Sequence, residues 1–417
     1  MEGDGVEIPS RMYLSGLVHR DRLFDVSARW LADRVKPEDG RVVTEIFTFE
    51  RAITAPRVRQ LVADLCRAVQ PGDLYLERAT DKDTVREMIV SAAAHPTPRV
   101  AELIDWYRQL PEEFFPRTPV QMSVVTRRNG RIAALVRRKR VRRIADKVSR
   151  RVADQLTAEI RRVTRALAAS AGGADLPRAE PAGRLDGAPA GVISAAERLV
   201  ADRIRSGRIT LDPNRQRVDD VIGVKIIGSP WELAAIEEAV DELDYTWAFH
   251  REVHNGAYVG THYQVDLELE PVEEIMARLR DTDWSFAAGR GLDRCELQAG
   301  WEAYVATGSR TFRVELILTT FEDLVESEFG TCIHEQRILE QRDGAVELGR
   351  IARNASSIIE YMLSLAVSPT VGVEELPVKL WGRYVRDMVA HSIARLSGRD
   401  PAEWLIPAEV EGDLVRL

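Results

Sequence analysis

The spacing of apolar residues predicts that the chain begins with helices. Apolar side chains recur at helical intervals in RLFDVSARWLADRV and APRVRQLVADLCRAV, and HPTPRVAELIDWYRQL sets an amphipathic run after two prolines, which suits a helix start. RVVTEIFTF and MSVVTR have the composition of short strands. The helical pattern resumes from Arg131 to Leu167. Residues 1–168 are therefore predicted to form a mainly helical N-terminal region.

A change of composition predicts a linker after this region. Residues 169–191, ASAGGADLPRAEPAGRLDGAPAG, are rich in Ala, Gly and Pro and contain almost no large apolar side chain. Because such a stretch buries little surface, it favours a flexible connection between two folded parts.

Strands and helices alternate in residues 192–343. GVKIIG and RVELILTT are predicted to be strands, and THYQVDLELE alternates strictly, which places four apolar residues from Tyr263 to Leu269 on one face. SAAERLVADRIRSG suits a helix that ends at Gly207, SPWELAAIEEAVDEL has a capping box at its start, and TFEDLVESEFGTCIHEQRIL has capping-box spacing from Thr320. This alternation predicts an α/β fold with helices packed on a sheet.

The tail predicts a helical C-terminal extension over residues 344–417. Two amphipathic helices are expected there, at about Glu347–Val367 and Glu375–Leu396.

Composition excludes several classes of protein. The 417 residues, 45% hydrophobic and 30% charged, are typical of folded domains, and the three cysteines lack metal-ligand spacing and suit a reducing compartment. The acidic start MEGDGVEIPSR does not resemble a signal peptide, and no apolar run approaches the roughly 20 residues of a membrane span. We therefore expect a cytoplasmic protein without a membrane partner, while the sequence leaves an oligomer possible.

Charge is distributed unevenly along the chain. Residues Arg127–Arg151 contain twelve Arg and Lys against Asp146 alone, a charge of +11, so that the rest of a chain of net charge −8 carries −19. A basic block of this kind suits a tRNA or other nucleic-acid partner, because clustered cations neutralise phosphates. The alternative is a solvated helix face, or cations that pair with the acidic remainder of the chain, and the absence of an aromatic residue in the block favours this alternative.

Two carboxylates accompany the predicted strands of the second region. Asp219 and Asp220 stand directly before VIGVKII, and Glu315 in RVELIL alternates with Val314 and Leu316, so it faces away from the aliphatic side. Carboxylates on neighbouring strands can hold Mg²⁺, which prefers oxygen ligands and usually keeps substrate phosphates in its shell. The alternative is that both are solvated acids on the open face of a sheet.

Four sequence elements in fixed order resemble the synthetase domain of the RelA/SpoT family of alarmone synthetases. They are DVIGVKII, YVGTHY, VELILTT and SEFGTCIH, spread over about residues 194–341. They correspond to the family's Asp-x-x-Gly-x-Arg strand entry, its Tyr-x-Ser-x-His element, its Glu-x-Gln-x-Arg-Thr strand, and its helix with Ala-Glu-x-Gly and a later His. The spacings Glu315 to Thr320, Thr320 to Glu328 and Glu328 to His334 are those of the family.

The resemblance implies a mixed sheet flanked by helices and a specific activity. The family transfers pyrophosphate from ATP to the 3′-hydroxyl of a guanosine nucleotide with magnesium. Carried over by position, Asp220 and Glu315 would be catalytic residues and magnesium ligands, and Glu315 would assist the metal or activate the hydroxyl. Tyr258 would stack on the acceptor base, and His262 would lie near the acceptor phosphates. His334 would be a substrate-side or structural hydrogen-bonding residue, and Asp219 a solvated neighbour.

Several positions depart from the family pattern. Lys225 replaces an Arg, Gly260 replaces a Ser, and Ile317 and Thr319 replace Gln and Arg. The Arg-x-Lys that precedes a helix Ser in the family is missing from APAGVIS. Arg198 stands where the family has a Lys, and Arg203 or Arg205 is an alternative substrate-binding cation. The departures leave open the same transfer onto the 3′ end of tRNA, as well as an inactive nucleotide-sensing or interaction module.

The hydrolase domain of the long family members is not expected in this chain. That domain is marked by a His-Asp pair, and none of the seven histidines is followed by Asp.

Overall fold

Strands and helices alternate through most of the chain in a computed structural model that describes residues 20–170, 188–213, 218–255, 259–285, 293–330, 349–368 and 372–397. The strands are β1 (Leu74–Asp81), β2 (Pro119–Arg127), β3 (Ile132–Arg138), β4 (Ile222–Ile227), β5 (Thr246–Asn255), β6 (Val259–Glu268) and β7 (Thr311–Thr319). The first helices are α1 (Arg20–Leu31), α2 (Asp39–Val69), α3 (Lys82–Ala92), α4 (Pro98–Gln109), α5 (Val141–Ser170) and α6 (Ala190–Arg205). The later helices are α7 (Pro230–Glu242), α8 (Val272–Asp281), α9 (Arg294–Thr307), α10 (Phe321–Phe329), α11 (Arg350–Ser364) and α12 (Arg386–Ser397).

The seven strands form one mixed sheet in the order β1-β2-β3-β4-β7-β6-β5. β4 and β7 run parallel, with Gly223 beside Glu315, and the other neighbouring strands are antiparallel. The predicted α/β class, with a mixed sheet flanked by helices, is therefore confirmed.

The N-terminal region contributes three strands to this sheet. β3 pairs with β4, so Ala134 lies beside Ile226 across the expected linker. Most of that linker, residues 171–187, lies outside the described residues. The division into regions 1–168, 169–191, 192–343 and 344–417 stays a prediction, but the first region builds part of the sheet in addition to its helices.

Two segments differ from their predicted secondary structure. RVVTEIFTF belongs to the 31-residue helix α2, where Val43, Ile46 and Phe47 are all buried, because tertiary burial overrides β-propensity. Ile132–Arg138 is a strand and not the start of the basic helix, which begins at Val141. A short apolar run that pairs on both edges and is buried on both faces cannot be distinguished from a helix by periodicity alone.

The C-terminal extension also differs in part. The helix expected from Glu347 agrees with α11 and the short 3₁₀ turn after it, whereas the second helix begins only at Arg386 and not at Glu375. Pro377 lies inside the predicted helix and has no N–H to donate. The side-chain amide of Asn354 instead donates to the carbonyl oxygens of Leu380 and Gly382, at 2.8 and 2.9 Å.

The local signals of the second region are confirmed. Ser229 and Glu232 form the capping box of α7, and Thr320 caps α10 by accepting from the Asp323 amide. Gly207 follows α6 with a φ of 72°, which glycine adopts without the steric cost of a Cβ. Tyr263, Val265, Leu267 and Leu269 are all buried, as the alternation in β6 predicts.

One face of the sheet carries the main hydrophobic core. Val125, Val224, Leu316 and Val265 on this face are buried in one cluster with residues of α2, α5, α7, α8, α9 and α11. Full burial of each such side chain contributes about 1.5–3 kcal/mol to folding. The central strands β4 and β7 are thus fixed by helices from both halves of the chain.

The opposite face, which we call the site face, is covered only in part. Val124 and Leu135 pack there in a second cluster with α3, α4 and α10. In the register of the sheet, one row across β3, β4 and β7 consists of Leu135, Lys225 and Ile317. The next row on the same face consists of Arg137, Gly223 and Glu315. The site face therefore combines an apolar area under these helices with a polar area beside it.

No helix in the described part of the chain is both long enough and apolar enough to cross a membrane.

Replacing Leu316 with Ala should destabilise the fold strongly. Leu316 is 0% exposed on β7, and removing a buried Leu side chain costs about 2–5 kcal/mol. Urea unfolding measures the cost, with Val385→Ala as the control, because Val385 is 72% exposed and its loss should change stability by less than about 0.5 kcal/mol. Equal effects of the two substitutions would contradict a central place for β7.

Candidate functional site

Asp220 is held by two lysines from the N-terminal region. It stands two residues before β4, and Lys139 directly follows β3, where the Lys139 amide donates to the Val221 carbonyl at 2.8 Å. The ammonium group of Lys139 donates to Asp220 Oδ2, and Lys147 on α5 donates to the same oxygen at 2.7 Å. The antiparallel pairing of β3 with β4 is thus what brings these cations to the carboxylate.

Burial and these charges act in opposition on the three groups. Burial alone would raise the pKa of Asp220, but Lys139 and Lys147 hold it well below its usual value. Burial also lowers the pKa of Lys139, although Asp220 opposes this change. Two cations on one carboxylate leave an excess of positive charge at the mouth of β4.

Glu315 lies in the middle of the site face with partners on both sides. Its Oε2 is 3.5 Å from Arg137 Nη2, and its Oε1 is 3.4 Å from His262 Nδ1. Burial would raise the pKa of Glu315, but His262 and Arg137 lower it below its usual value. A Cβ at Gly223 would meet Arg137 Nη2 at 3.5 Å and Glu315 Oε2 at 3.7 Å, so a side chain here would fill the space between the two groups.

A third carboxylate, Glu328, belongs to α10, one of the helices that cover the apolar part of the site face. Lys82 donates to its two oxygens at 2.9 and 2.7 Å, and Arg86 Nη2 lies 3.7 Å from Oε2. Lys225 on β4 donates to the hydroxyl of the neighbouring Ser327 at 3.4 Å.

The environment of Lys225 shifts its titration. Burial lowers the pKa of Lys225 to about 8; Glu328 and Glu315 oppose this shift, and Lys82 and Arg137 add to it. Burial would raise the pKa of Glu328, but Lys82, Arg86 and Lys225 hold it below its usual value.

Together these groups form what we call the site cluster. It comprises Lys82, Arg86, Arg137, Lys139, Lys147, Lys225, Asp220, Glu315 and Glu328. Counted with formal charges, six cations meet three carboxylates, which gives the cluster a charge of +3. Such an excess in a partly buried place favours binding of an anion.

The site cluster also concentrates a rare residue. Only six of the 58 basic residues of the chain are lysines: Lys36, Lys82, Lys139, Lys147, Lys225 and Lys379. Four of the six belong to the cluster. Lysine presents a compact charge whose pKa responds to burial, whereas arginine stays protonated, so the two are not interchangeable at a site of this kind.

The structure brings some of the predicted site residues together. Asp220, Glu315, His262 and Lys225 lie on or at the edge of the site face. The His262 ring lies 4.5 Å from the ring of His254. Tyr258 and His334 lie outside the described residues, so their predicted roles stay predictions.

Three predicted cations on α6 are not brought to Asp220 by any described contact. Arg198 is exposed, and Arg205 lies over the Trp381 ring at 5.2 Å. Arg203 is close enough to Glu159 on α5 to lower its pKa, after the larger effect of Arg162. Glu159 follows Lys147 by twelve residues of one helix and so lies about 18 Å along its axis from the lysine that does reach Asp220.

The interpretation of Asp219 as a solvated residue is wrong. Its Oδ1 accepts from Arg313 Nη1 at 3.1 Å, and the same guanidinium forms two hydrogen bonds with the buried Asp266. Asp219 and Asp220 therefore face different cations and do not act as a pair.

The sequence interpretation missed Arg137, Lys139 and Lys147. An Arg-x-Lys pair was sought before Ser194, whereas Arg137 and Lys139 form such a pair before α5, and Lys147 lies on that helix. The signal was present in the basic block, but the prediction of that block as one continuous helix hid it.

The cations of the basic block lie on β2, β3 and α5 and in the turns between them. Arg127 donates to backbone carbonyl oxygens, whereas Arg131 lies 3.6 Å from Glu232, and Lys147 donates to Asp220 at 2.7 Å. The interpretation that the block pairs with the acidic remainder of the chain therefore describes part of the block, and a nucleic-acid partner stays a prediction.

The residues around Asp220 and Glu315 do not fit a resident magnesium ion. Asp220 Oδ2 already accepts from two lysines, Glu315 lies between Arg137 and His262, and the described residues contain no group of three or more His, Cys, Asp and Glu side chains arranged for a metal. A magnesium ion at this place would have to compete with two lysines and an arginine for the carboxylate oxygens. We therefore derive no step through a metal bound by the protein alone.

No protein-family model matches the chain, and no curated protein matches it in a sequence comparison.

Replacing Asp220 with Asn should destabilise the protein by about 1–3 kcal/mol near pH 7, because two partly buried lysines lose their counter-charge. The folded-state pKa of Asp220 is depressed, so its contribution is complete above the unfolded pKa of about 3.9 and is lost as the pH falls through the folded pKa. The difference between wild type and variant should therefore narrow below about pH 4.

Urea unfolding at several pH values measures this difference. Asp146→Asn on α5 is the matched control, because Asp146 pairs with the more exposed Arg150 and should cost less than about 1 kcal/mol. A difference independent of pH would show that the lysines do not depend on the Asp220 charge.

Proposed function

We propose that the site face binds a nucleoside triphosphate and that the protein transfers pyrophosphate from ATP to the ribose 3′-hydroxyl of a guanosine nucleotide. One observation carries the proposal: four of the six lysines of the chain meet three carboxylates in a cluster of charge +3. The order and spacing of the four RelA/SpoT-like elements support the choice of this reaction.

The cations would bind the phosphates of the donor. Lys139 and Lys147 approach Asp220 from outside the segment with the resemblance, and Arg137 lies beside Glu315. Phosphate oxygens can take over these hydrogen bonds at little electrostatic loss, because they carry the same sign of charge as the carboxylates. Binding would then release Asp220 from its lysines when the nucleotide, with its own magnesium ion, is in place.

The carboxylates would act on the acceptor and on the arriving magnesium. The acceptor hydroxyl oxygen forms a bond to the β-phosphorus of ATP, the bond from that phosphorus to the oxygen bridging the α-phosphate breaks, and AMP leaves. The hydroxyl proton passes to Glu315, which His262 holds at 3.4 Å. Magnesium, bound to the ATP phosphates as part of the substrate, would neutralise charge, and the protein supplies position and electrostatic stabilisation.

A second candidate is a nucleotide-sensing module without turnover. The favouring observation is that both carboxylates are already paired with cations, which suits anion binding more directly than catalysis. The same cluster would then bind the polyphosphate without activating a hydroxyl.

Incubation of the purified protein with ATP, magnesium and one acceptor at a time tests the proposal. The acceptors are GDP, GTP and deacylated tRNA, and mass spectrometry identifies the products. We expect AMP and a guanosine nucleotide that gains pyrophosphate in equal amounts. Glu315→Gln should reduce turnover at least 100-fold and Lys147→Met at least tenfold. Lys379→Met is the matched control, since Lys379 pairs with Glu375 away from the cluster and should keep full turnover.

Each other outcome excludes one interpretation. AMP without any pyrophosphorylated acceptor would refute the transfer. Transfer onto tRNA alone would keep the chemistry and change the acceptor. Binding of ATP that weakens in Lys147→Met, with no turnover of any acceptor, would establish the sensing module.

A further inference from the structure

A buried ion pair connects the N-terminal region to α10, which covers part of the site face. Lys82, the first residue of α3, donates to both oxygens of Glu328 at 2.9 and 2.7 Å, and the two side chains are 8% and 9% exposed. The pair joins residues 246 positions apart, and Lys82 lies outside the segment that resembles the synthetases. Burying an ion pair at this depth costs desolvation free energy, which hydrophobic side chains in the same place would not cost. A contribution to stability is therefore a weak explanation for the presence of the pair.

The same helix fixes Glu328 by its backbone as well. Arg86, one turn after Lys82, is 0% exposed, and its Nε donates to the Glu328 carbonyl oxygen at 3.2 Å. Glu328 therefore has little freedom to change partner. Its position relative to the sheet is set by α3, and not by α10 alone.

A second cation, Lys225, also lies in the field of Glu328. Ser327, its neighbour in the chain, accepts from Lys225 at 3.4 Å, and Lys225 lies on the site face between Leu135 and Ile317. Lys82 and Lys225 thus share the field of one carboxylate. The other charged groups that act on Lys225 are Arg137 from β3 and Glu315 from β7.

We propose that Lys82 is a positioning residue for the site: by holding Glu328 against α3, it fixes this carboxylate and the neighbouring Ser327 beside Lys225, and so sets the electrostatic environment in which Lys225 meets the bound phosphates. The proposal rests on the proposed function for its consequence, because Lys225 is the lysine at the position of the family's Arg. The coupling between Lys82, Glu328 and Lys225 does not rest on the proposed function, because it is a property of the protein without ligand.

The coupling has a signature that a structural ion pair would not produce. Burial lowers the pKa of Lys225 to about 8, Glu328 opposes that shift and Lys82 adds to it. Removing Lys82 removes a like charge and leaves the Glu328 charge to Arg86 and Lys225, so Lys225 should titrate at higher pH. Removing the Glu328 charge should move Lys225 to lower pH. The two variants therefore shift one group in opposite directions.

The experiment is a pH titration of the protein with ¹³C-labelled lysine side chains, followed by NMR. Six lysines give few signals, and Lys225→Arg identifies the one from Lys225. We expect Lys82→Met to raise the Lys225 midpoint by about one pH unit and Glu328→Gln to lower it by about as much. Lys82→Arg, which keeps the charge, should leave it unchanged, as should the control Lys36→Met.

Either of two results would overturn the proposal: a Lys225 midpoint that stays fixed in Lys82→Met and Glu328→Gln, or one that moves the same way in both. If Lys82→Met does not fold, Lys82→Gln takes its place, because it removes the same charge and keeps a polar side chain, and it should raise the midpoint as well. Turnover measured on the same variants separates the two proposals. Opposite shifts in a protein without turnover would support the coupling and count against the proposed function alone.

Discussion

The meeting of two lysines on one oxygen of Asp220 is the contact on which the rest of the site depends. Lys139 directly follows β3, Lys147 lies on α5, and Asp220 stands two residues before β4. Asp220 carries one negative charge against two lysines, although burial lowers the pKa of Lys139 to about 7, and Glu315 and Glu328 have cations of their own. The excess of positive charge stays in a partly covered area of the sheet. An anionic ligand can lower the free energy of such an arrangement, which is the physical ground for the proposed binding of a polyphosphate.

The pairing of β3 with β4 creates this contact and also decides how the sheet is shared. Ala134 pairs with Ile226, so the strands of the N-terminal region continue the strands that resemble a synthetase. Within the described residues, one face of the combined sheet is covered by helices from both parts, and the other packs against α3, α4 and α10. Lys82 and Arg86 reach Glu328 from that smaller layer. The N-terminal region therefore supplies five of the six cations in the site cluster, and Lys225 is the sixth.

The sequence predicts what is encoded locally and misses what depends on distant pairing. Asp220, Glu315, His262 and Lys225 were predicted because each stands in one of the short elements whose order resembles that of the RelA/SpoT family. The Lys139, Lys147 and Lys82 contacts join residues 81, 73 and 246 positions apart, and no local period indicates them. Ile132–Arg138 was predicted to be helical because a short apolar run buried on both faces lacks a strand alternation. That error placed Arg137 and Lys139 on the wrong element, and the cations were then sought on α6.

The most direct test of the account is the response of the lysine side chains to a nucleotide. Addition of magnesium–ATP to the protein with ¹³C-labelled lysines should shift the signals of Lys139, Lys147 and Lys225, while Lys36 and Lys379 stay in place. AMP, which lacks the β- and γ-phosphates, should produce much smaller shifts at the same concentration. Unchanged signals from the cluster, or shifts confined to Lys36 and Lys379, would contradict the claim that this group of lysines binds polyphosphate.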